Sequence, residues 1–398
     1  RTCSGGWQLC FSEIAPGAAY SIEVEAEHTG ISVVRDTLQC IALWGPVAPD
    51  SAEKALQWDY LVPETLAEAN LRFSRCLSAP DGAEVLVLRY CFRWSSSGRS
   101  VWKLPTIKPV PRNSRRAVKV SVVTGRVDSR PTSLVGIEDN IRYYGDLCEA
   151  ACKRHPDIVV LPEIALQWQL KGSPLELAAP VPGPQTETFS QLARQYGTRV
   201  LLGLLERDAD AVHNSAILID PDGNIEGKYR KVHLAVGQES DSGILPGDRF
   251  TVVDTQIGRI GCNICMDSSA AESARMVGLG GADFLLLPIM GDHRASRWNP
   301  GPPIFNESRW RAIMRTRAMD NQFCLAVARN TAIGSCIIDR KGDVLAWNEG
   351  DEDFVEAVVE VDDGYRTWNG GCFRAINWMQ RRPHLYHAFT DESNVGSL

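Results

Sequence analysis

The segment Asp157-Ile-Val-Val-Leu-Pro-Glu163 is a short apolar run that ends in a proline and a carboxylate. An apolar run of this length, bounded by turn-forming residues, is typical of a strand buried in a sheet. Around it, Ala117–Thr124 and Arg199–Leu205 have the pattern of further strands, whereas Leu134–His155 and Thr186–Tyr196 have helical spacing. Strands and helices continue to alternate along the rest of the chain. The sequence therefore predicts a layered α/β domain in which helices cover sheets.

The first 112 residues follow a different pattern. Ala19–Ala26 and Ala83–Trp94 alternate apolar and polar residues, and turns rich in Gly and Pro separate such segments. Short alternating strands with regular turns predict an all-β sandwich or jelly roll. We expect the proline-rich, basic stretch Ile107–Arg116 to be an interdomain linker, because proline does not readily continue a sheet. The expected domains are a β-sandwich accessory domain at 1–112 and a second domain at 113–398.

Length and composition exclude several classes of protein. The 398 residues exceed one ordinary domain, and 44% hydrophobic with 23% charged residues excludes wholesale disorder. A net charge of −7 argues against a basic nucleic-acid-binding face. No apolar run approaches the roughly 20 residues of a membrane span. The chain begins with Arg1, and its twelve cysteines are spread without a clear framework, so targeting, compartment and disulfide state stay undetermined.

Three polar side chains interrupt otherwise apolar segments. Glu163 directly follows a buried strand, Lys231 lies in Gly227–Leu234, and Cys265 closes the apolar run that begins at Ile260. A buried carboxylate is costly unless it is paired or used, and open α/β sheets bind ligands at the carboxyl ends of their strands. Each residue alone also has a structural explanation: a helix cap, an exposed strand lysine or a small core side chain. Their order and surroundings together are more specific.

These motifs resemble those of the carbon–nitrogen hydrolase, or nitrilase, superfamily, and the resemblance extends from about 117 to 390. The motifs that carry it are Leu161-Pro-Glu163; Tyr229-Arg-Lys-Val-His-Leu234 with Gln238-Glu-Ser240 and Pro246-Gly-Asp248; Gly261-Cys-Asn-Ile-Cys-Met-Asp267 with Glu272-Ser-Ala-Arg275 and Gly281-Ala282; Arg317-Ala-Met-Asp-Asn321; and Arg381-Arg-Pro-His-Leu-Tyr386. The resemblance implies an αββα sandwich, a Glu-Lys-Cys triad and an additional glutamate at Glu239.

The chemistry that the resemblance implies is cysteine-dependent cleavage of a non-peptide C–N bond. A thiol needs a nearby base to become a nucleophile; Glu163 would accept the Cys265 proton, and a thioester acyl-enzyme would follow. Lys231 and the backbone N–H of Met266 would stabilise the oxyanion. Glu239 would orient Lys231. This chemistry requires no metal or cofactor, and the single Cys-x-x-Cys spacing has no second pair with which to bind zinc.

Two details of the cysteine motif refine the expectation. Cys262 is the rival nucleophile, but on an extended strand it would face away from Cys265, and the family motif selects Cys265. Asp267 matches the Cys-x-Asp form of amidase-like members, whereas nitrilases more often resemble Cys-Trp-Glu. Amide or N-carbamoyl substrates are therefore favoured over nitriles, although Met266 is less usual at its position.

Other interpretations stay open at this stage. A nitrilase or an acyltransferase would use the same triad, and a non-catalytic protein would bind a glycan or partner through its sandwich. The N-terminal pattern loosely resembles galactose-binding-like jelly-roll modules, with carbohydrate as the possible ligand. His293, Arg294 and Arg297 lie in a loop that would line the substrate mouth or remain solvated. Family members commonly assemble through helix faces, so the resemblance also implies a homo-oligomer.

Overall fold

The computed structural model describes residues 3–111, 116–125, 136–290, 305–361, 366–387 and 390. The chain divides into two compact units, one made of Arg1–Ser114 with Asp363–Leu398 and the other of Arg115–Asp362. The division after Ser114 lies close to the expected one after residue 112. The C-terminal segment differs, because it was expected in the second domain and belongs instead to the first unit.

The first unit is built from two antiparallel sheets around one apolar core. Its strands are β1 (Cys3–Phe11), β2 (Ala19–Thr29), β3 (Leu38–Gly45), β4 (Gln57–Tyr60), β5 (Val62–Ala67), β6 (Asn70–Ser78), β7 (Val85–Ser95), β8 (Arg99–Trp102) and β9 (Thr106–Val110), with a one-turn helix α1 (Val34–Thr37). The strand orders are β1-β7-β3-β4 and β5-β6-β2-β8. Ile22, Trp44, Phe73 and Leu88 share the core, which confirms the strand-rich N-terminal region.

The expected linker is partly wrong. Residues 112–115 lie outside the described part, but Thr106–Val110 forms β9, which pairs with β2 and places Pro109 opposite Tyr20. Because β8 and β9 both pair only with β2 among the described strands, they lie at the sheet edge, where proline is tolerated. The basic, proline-containing composition therefore marks an edge strand as well as the approach to the second unit.

The C-terminal segment packs on the outer face of the first sheet. All eight residues of β3 are buried, so both faces of this strand need cover. Helix α7 (Phe373–Met379) supplies it, with Met379 joining Ile41 and Trp58 in a small apolar cluster. Arg366 also bonds to Asp59, a buried carboxylate, at 3.2 Å. This cover lies far from β3 in the sequence, which is why strand and helix periodicity gave no sign of it.

The second unit is a four-layer α/β arrangement. Its strands are β10 (Arg116–Val123), β11 (Ile158–Val160), β12 (Arg199–Asp208), β13 (Ala211–Ile219), β14 (Ile225–Arg230), β15 (Val252–Thr255), β16 (Gly258–Cys262), β17 (Phe284–Ile289), β18 (Cys324–Arg329), β19 (Cys336–Ile338), β20 (Val344–Trp347) and β21 (Phe354–Val361). Its helices are α2 (Ile137–Cys152), α3 (Pro174–Leu177), α4 (Pro184–Tyr196), α5 (Ala271–Leu279) and α6 (Glu307–Asn321). These bounds lie close to those expected from periodicity.

Two six-stranded sheets form the middle layers, ordered β14-β13-β12-β11-β10-β21 and β15-β16-β17-β18-β19-β20. Apolar residues of both sheets share one core. Helices α2 and α4 pack on the outer face of the first sheet, and α5 and α6 on that of the second. The mixed α/β architecture is confirmed. No helix in the described part of the chain combines the length and apolar composition needed to cross a bilayer.

Parallel pairing positions the candidate site residues. Strands β10, β11 and β12 run parallel, and so do β16, β17 and β18. Residues that follow β11, β16, β17 and β18 therefore lie at the carboxyl edges of their sheets. Gly203 in β12 permits a close approach there, because a Cβ atom at this position would overlap the carbonyl oxygen of Pro162, next to Glu163.

Candidate active site

Four of the expected side chains converge at this edge of the second unit. Glu163 follows β11, Lys231 directly follows β14, and Glu239 lies in the loop that leads to β15. Cys265 begins a short 3-10 helix, Cys265–Ser269, three residues beyond β16. All four line the same cavity. Residues separated by up to about a hundred positions in the chain are thus brought together by sheet pairing.

Lys231 joins the two carboxylates. Its Nζ donates to Glu163 Oε1 at 2.8 Å and to Glu239 Oε2 at 2.6 Å. Lys231 and Glu163 are only 1% and 2% exposed, so this ion pair is almost fully desolvated. The backbone N–H of Ala235 also donates to Glu239 Oε2 at 2.7 Å, which holds the second carboxylate in place.

Asn214 is a member of this cluster that the sequence analysis missed. Its Nδ2 donates to Glu163 Oε1 at 2.7 Å and to Glu239 Oε1 at 2.6 Å, so one amide group bridges both carboxylates. The side chain is buried in β13. The signal in the sequence was weak, because Asn214 stands between the polar residues His213 and Ser215 at the start of the strand Ala211–Ile219.

The rest of Glu163 is held by backbone and amide groups. Its Oε2 accepts from the N–H of Met290, at the end of β17, at 2.6 Å. Its carbonyl accepts from Asn330 Nδ2 at 2.8 Å, and Asn330 Oδ1 accepts in turn from the Tyr144 hydroxyl. Elements of both sheets therefore fix this carboxylate.

Cys265 occupies a strained turn. Its φ is +42°, in the left-handed region that non-glycine residues rarely adopt. Such strain persists only where surrounding contacts over-determine it, and it is concentrated at functional sites. The contacts come from the buried Asp267, whose carboxylate accepts from the Ile264 N–H, the Tyr229 hydroxyl and the His233 N–H at 2.8–2.9 Å. Asp267 therefore supports the turn from beneath.

Met266 follows Cys265 in the first turn of the 3-10 helix. Backbone N–H groups in a first helical turn have no acceptor within the helix. The N–H of Met266 therefore has no acceptor within the helix, and the oxyanion role expected for it stays a prediction.

Charges and burial shape the protonation of the site. Burial by itself would lower the pKa of Lys231, but Glu163, Cys265 and Glu239 outweigh it and raise this pKa above its usual range. Lys231 is therefore held as an ammonium group. The hydrogen bond to Asp267 raises the pKa of His233.

The rival Cys262 lies in the core between the two sheets, and burial raises the pKa of its thiol well above the usual value. The expectation that the two cysteines face opposite sides of one strand used the wrong geometry. Strand β16 ends at Cys262, and the chain turns after it. Cys265 therefore lies outside the sheet, where it lines the cavity.

The cavity beside the cluster has a volume of about 700 Å³. Its lining is largely apolar, with Leu170, Leu177, Leu205 and Ile244 among its members. The expected mouth residues His293, Arg294 and Arg297 lie outside the described residues. Within the described ranges, no group of three or more His, Cys, Asp or Glu residues is arranged to hold a metal ion.

Comparison with known proteins places the chain in a family. The sequence profile of the carbon-nitrogen hydrolase family matches residues 134–368, more than half of the chain. The chain belongs to the carbon–nitrogen hydrolase family. The expected enzyme class, a hydrolase that acts on C–N bonds, is thereby confirmed. The match ends before the segment Arg381–Tyr386, which was expected to be a late family signature.

Relatives in the carbon–nitrogen hydrolase family include several amidases. Omega-amidase NIT2-B of Xenopus laevis is 32% identical over 219 residues, which is 52% of this chain and 73% of that protein. An (R)-stereoselective amidase of a Pseudomonas species is 31% identical over 54% of this chain and 76% of its own length. The crystal structure of a carbon-nitrogen hydrolase from Helicobacter pylori G27 shares the fold, with a TM-score of 0.54 and 21% identity, covering 69% of this chain and 99% of that one.

Proposed function

We propose that the protein hydrolyses a carboxamide or N-carbamoyl group through a thioester on Cys265, with Glu163 and Lys231 as the other catalytic residues. The observation that carries this proposal is the contact of one buried ammonium group with two carboxylates beside a strained cysteine at the edge of a cavity. Neither a structural salt bridge nor a core cysteine requires this combination.

In the acylation step, Glu163 accepts the thiol proton while Cys265 Sγ attacks the carbonyl carbon. The C=O π electrons move to oxygen, and the Lys231 ammonium group and the Met266 N–H stabilise the resulting charge. Glu163 then gives its proton to the departing nitrogen as the C–N bond breaks. Ammonia or an amine leaves, and the acyl group remains on sulfur.

Deacylation repeats these roles with water. Glu163 accepts a proton from water, whose oxygen attacks the thioester carbon and forms the new C–O bond. The C–S bond then breaks, and the sulfur recovers the proton held by Glu163. Glu239 acts through Lys231: its hydrogen bond of 2.6 Å keeps the ammonium group oriented, which makes Glu239 a positioning residue.

An amide or N-carbamoyl substrate is favoured over a nitrile by the Cys-x-Asp motif. The amidase names of the relatives support the same choice. Acyl transfer to an amine is the second candidate, because the same thioester serves both reactions. Comparing hydroxylamine with water as the acceptor, by product analysis, separates the two.

The test is ammonia release from a panel of aliphatic amides, N-carbamoyl amino acids and nitriles. We expect Cys265→Ala to abolish turnover without changing the unfolding temperature. Cys262→Ala is the matched control, because its thiol lies three residues away in the core; it should retain turnover. Full activity in Cys265→Ala would overturn the proposal, and loss only in Cys262→Ala would assign the other thiol.

For the first unit, we propose a galactose-binding-like jelly roll that takes a carbohydrate. A cavity of about 470 Å³ lined by Trp7, Phe92, Arg99 and Trp102 supports this proposal, since aromatic faces stack on sugar rings. Glycan-array binding by the full chain should be lost in Trp7→Ala; unchanged binding would contradict the assignment. We also propose a homo-oligomer, to be tested by light scattering on the purified chain.

A further inference from the structure

The cavity beside the catalytic cluster is far larger than a small amide requires. Its volume of about 700 Å³ falls within the range of about 300–1,000 Å³ that is typical of pockets for drug-sized ligands. One part of its lining, which we call the apolar wall, consists of Leu170, Leu177, Leu205 and Ile244. A substrate that filled this space would place several carbons against the wall.

The apolar wall starts next to the reacting groups. Leu205 in β12 pairs directly with Asn214 in β13, so both side chains lie on the same face of the sheet. The N–H of Ile244 donates to the carbonyl of Glu239. The wall and the catalytic cluster are therefore adjacent. An acyl group whose carbonyl carbon is bonded to Cys265 Sγ would extend its chain toward Leu205 and Ile244.

Gln167 lines the cavity beside the wall, and its side-chain amide is already hydrogen-bonded. Gln167 Oε1 accepts from the Leu205 N–H at 3.0 Å, and its Nε2 donates to the Leu177 carbonyl and to Gln185 Oε1. This amide ties two parts of the wall together, and both of its Nε2 hydrogens have acceptors. Because these bonds hold Leu205 and Leu177 in place, the Gln167 amide stabilises the wall and has no free N–H to offer a substrate.

We propose that the substrate is an amide whose acyl group is an apolar chain or ring seated on the apolar wall. This inference rests on the proposed amide hydrolysis and specifies its substrate class. Each methylene buried against the wall should raise kcat/KM about fourfold, which corresponds to about 0.8 kcal/mol.

The experiment compares amides of graded length and charge with the full-length enzyme. From propionamide to hexanamide, three methylenes should raise kcat/KM on the order of 50-fold. The monoamide of adipic acid matches hexanamide in chain length but replaces the terminal methyl by a carboxylate. We expect its kcat/KM to be at least about 100-fold lower than that of hexanamide, because the terminal carboxylate would lose its hydration against the apolar wall.

A pair of variants in helix α3 tests the wall itself. Leu177 lines the cavity, whereas Leu175, in the same helix, is 53% exposed and does not. Leu177→Ala should lower kcat/KM for hexanamide about tenfold and leave propionamide unchanged, because only the longer chain reaches this side chain. Leu175→Ala should change neither value, which controls for effects on the helix.

The outcomes separate this inference from the function on which it rests. Turnover that depends on Cys265 but is flat along the series, or faster with the carboxylated amide, would overturn the inference alone. Equal effects of Leu177→Ala on both chain lengths would do the same. Absence of turnover that depends on Cys265 with every amide would instead overturn the proposed function, and the substrate class with it.

Discussion

Replacing Asn214 by alanine would remove the amide that bridges the two carboxylates of the cluster. The Nδ2 group gives both of its hydrogens to Glu163 and Glu239. Its Oδ1 is buried and has no hydrogen-bond partner among the described residues. The side chain is therefore present as a double donor, and reversing the amide would place Oδ1 against two acceptors. We expect Asn214 to position Glu163 for proton transfer.

The magnitude follows from these two bonds. A hydrogen bond to a charged group contributes about 1.5–3 kcal/mol. If the free energy of one such hydrogen bond is lost at the transition state, kcat should fall by roughly 10- to 150-fold, because about 1.36 kcal/mol corresponds to a factor of ten in rate. Lys231 and the Met290 N–H still bond to Glu163, so the loss should be partial. KM should change little, because Asn214 does not line the cavity.

The assay is steady-state kinetics on the best amide substrate, together with thermal unfolding. Asn348→Ala is the matched control: Asn348 is equally buried and bonds to the carbonyl of Glu352, outside the catalytic cluster. It should lower stability and leave kcat unchanged. Asn214→Asp preserves shape but turns an acceptor toward the carboxylates, so it should lose more activity than Asn214→Ala.

Two results would refute this reasoning. A kcat for Asn214→Ala within about threefold of wild type would show that the bridge contributes nothing at the transition state. A rise in KM with unchanged kcat would show that Asn214 contributes to ground-state binding.

Three further changes test other parts of the site. Lys231→Ala should lower kcat on the order of 10²–10³-fold, as for the loss of one oxyanion donor; near-normal steady-state turnover would contradict this role. Gly203→Ala should destabilise the fold by about 1–3 kcal/mol and lower kcat, because the new methyl group would overlap the Pro162 carbonyl; calorimetry and an assay check both, and wild-type values would contradict it. The Asp267 contact raises the pKa of His233 above its usual 6.5, so it stabilises the protein below that pH and less as pH rises through the raised value. The difference in melting temperature between wild type and His233→Gln should therefore shrink from about pH 6 to about pH 9, and a constant difference would contradict it.

Local sequence determined most element types and singled out three of the proposed catalytic side chains. Apolar runs of strand length and helices of 3.6-residue period are read from neighbours in the chain, and the observed α4, Pro184–Tyr196, lies close to the expected Thr186–Tyr196. Glu163 and Cys265 were singled out because each follows an apolar run, where burying a polar group is costly unless it is paired or used, and Lys231 because of the motif around it.

Tertiary structure alone decided what these side chains contact. The sequence analysis did not single out Asn214, and only the pairing of β12, β13 and β14 places its amide between Glu163 and Glu239. The turn at Cys265 likewise depends on Asp267 and on groups from β14 and the loop after it.

The cover of β3 and the apolar wall have the same origin. Helix α7 reaches β3 from more than three hundred residues away, and the wall is assembled from loops, helix α3 and strand β12 of the second unit. Such contacts form because an apolar face of a strand or helix must be buried against another element. A sequence pattern shows which face must be buried, but it does not identify the element that covers it. Sequence periodicity therefore determines the secondary-structure elements, whereas the packing of elements that are distant in the sequence determines the site.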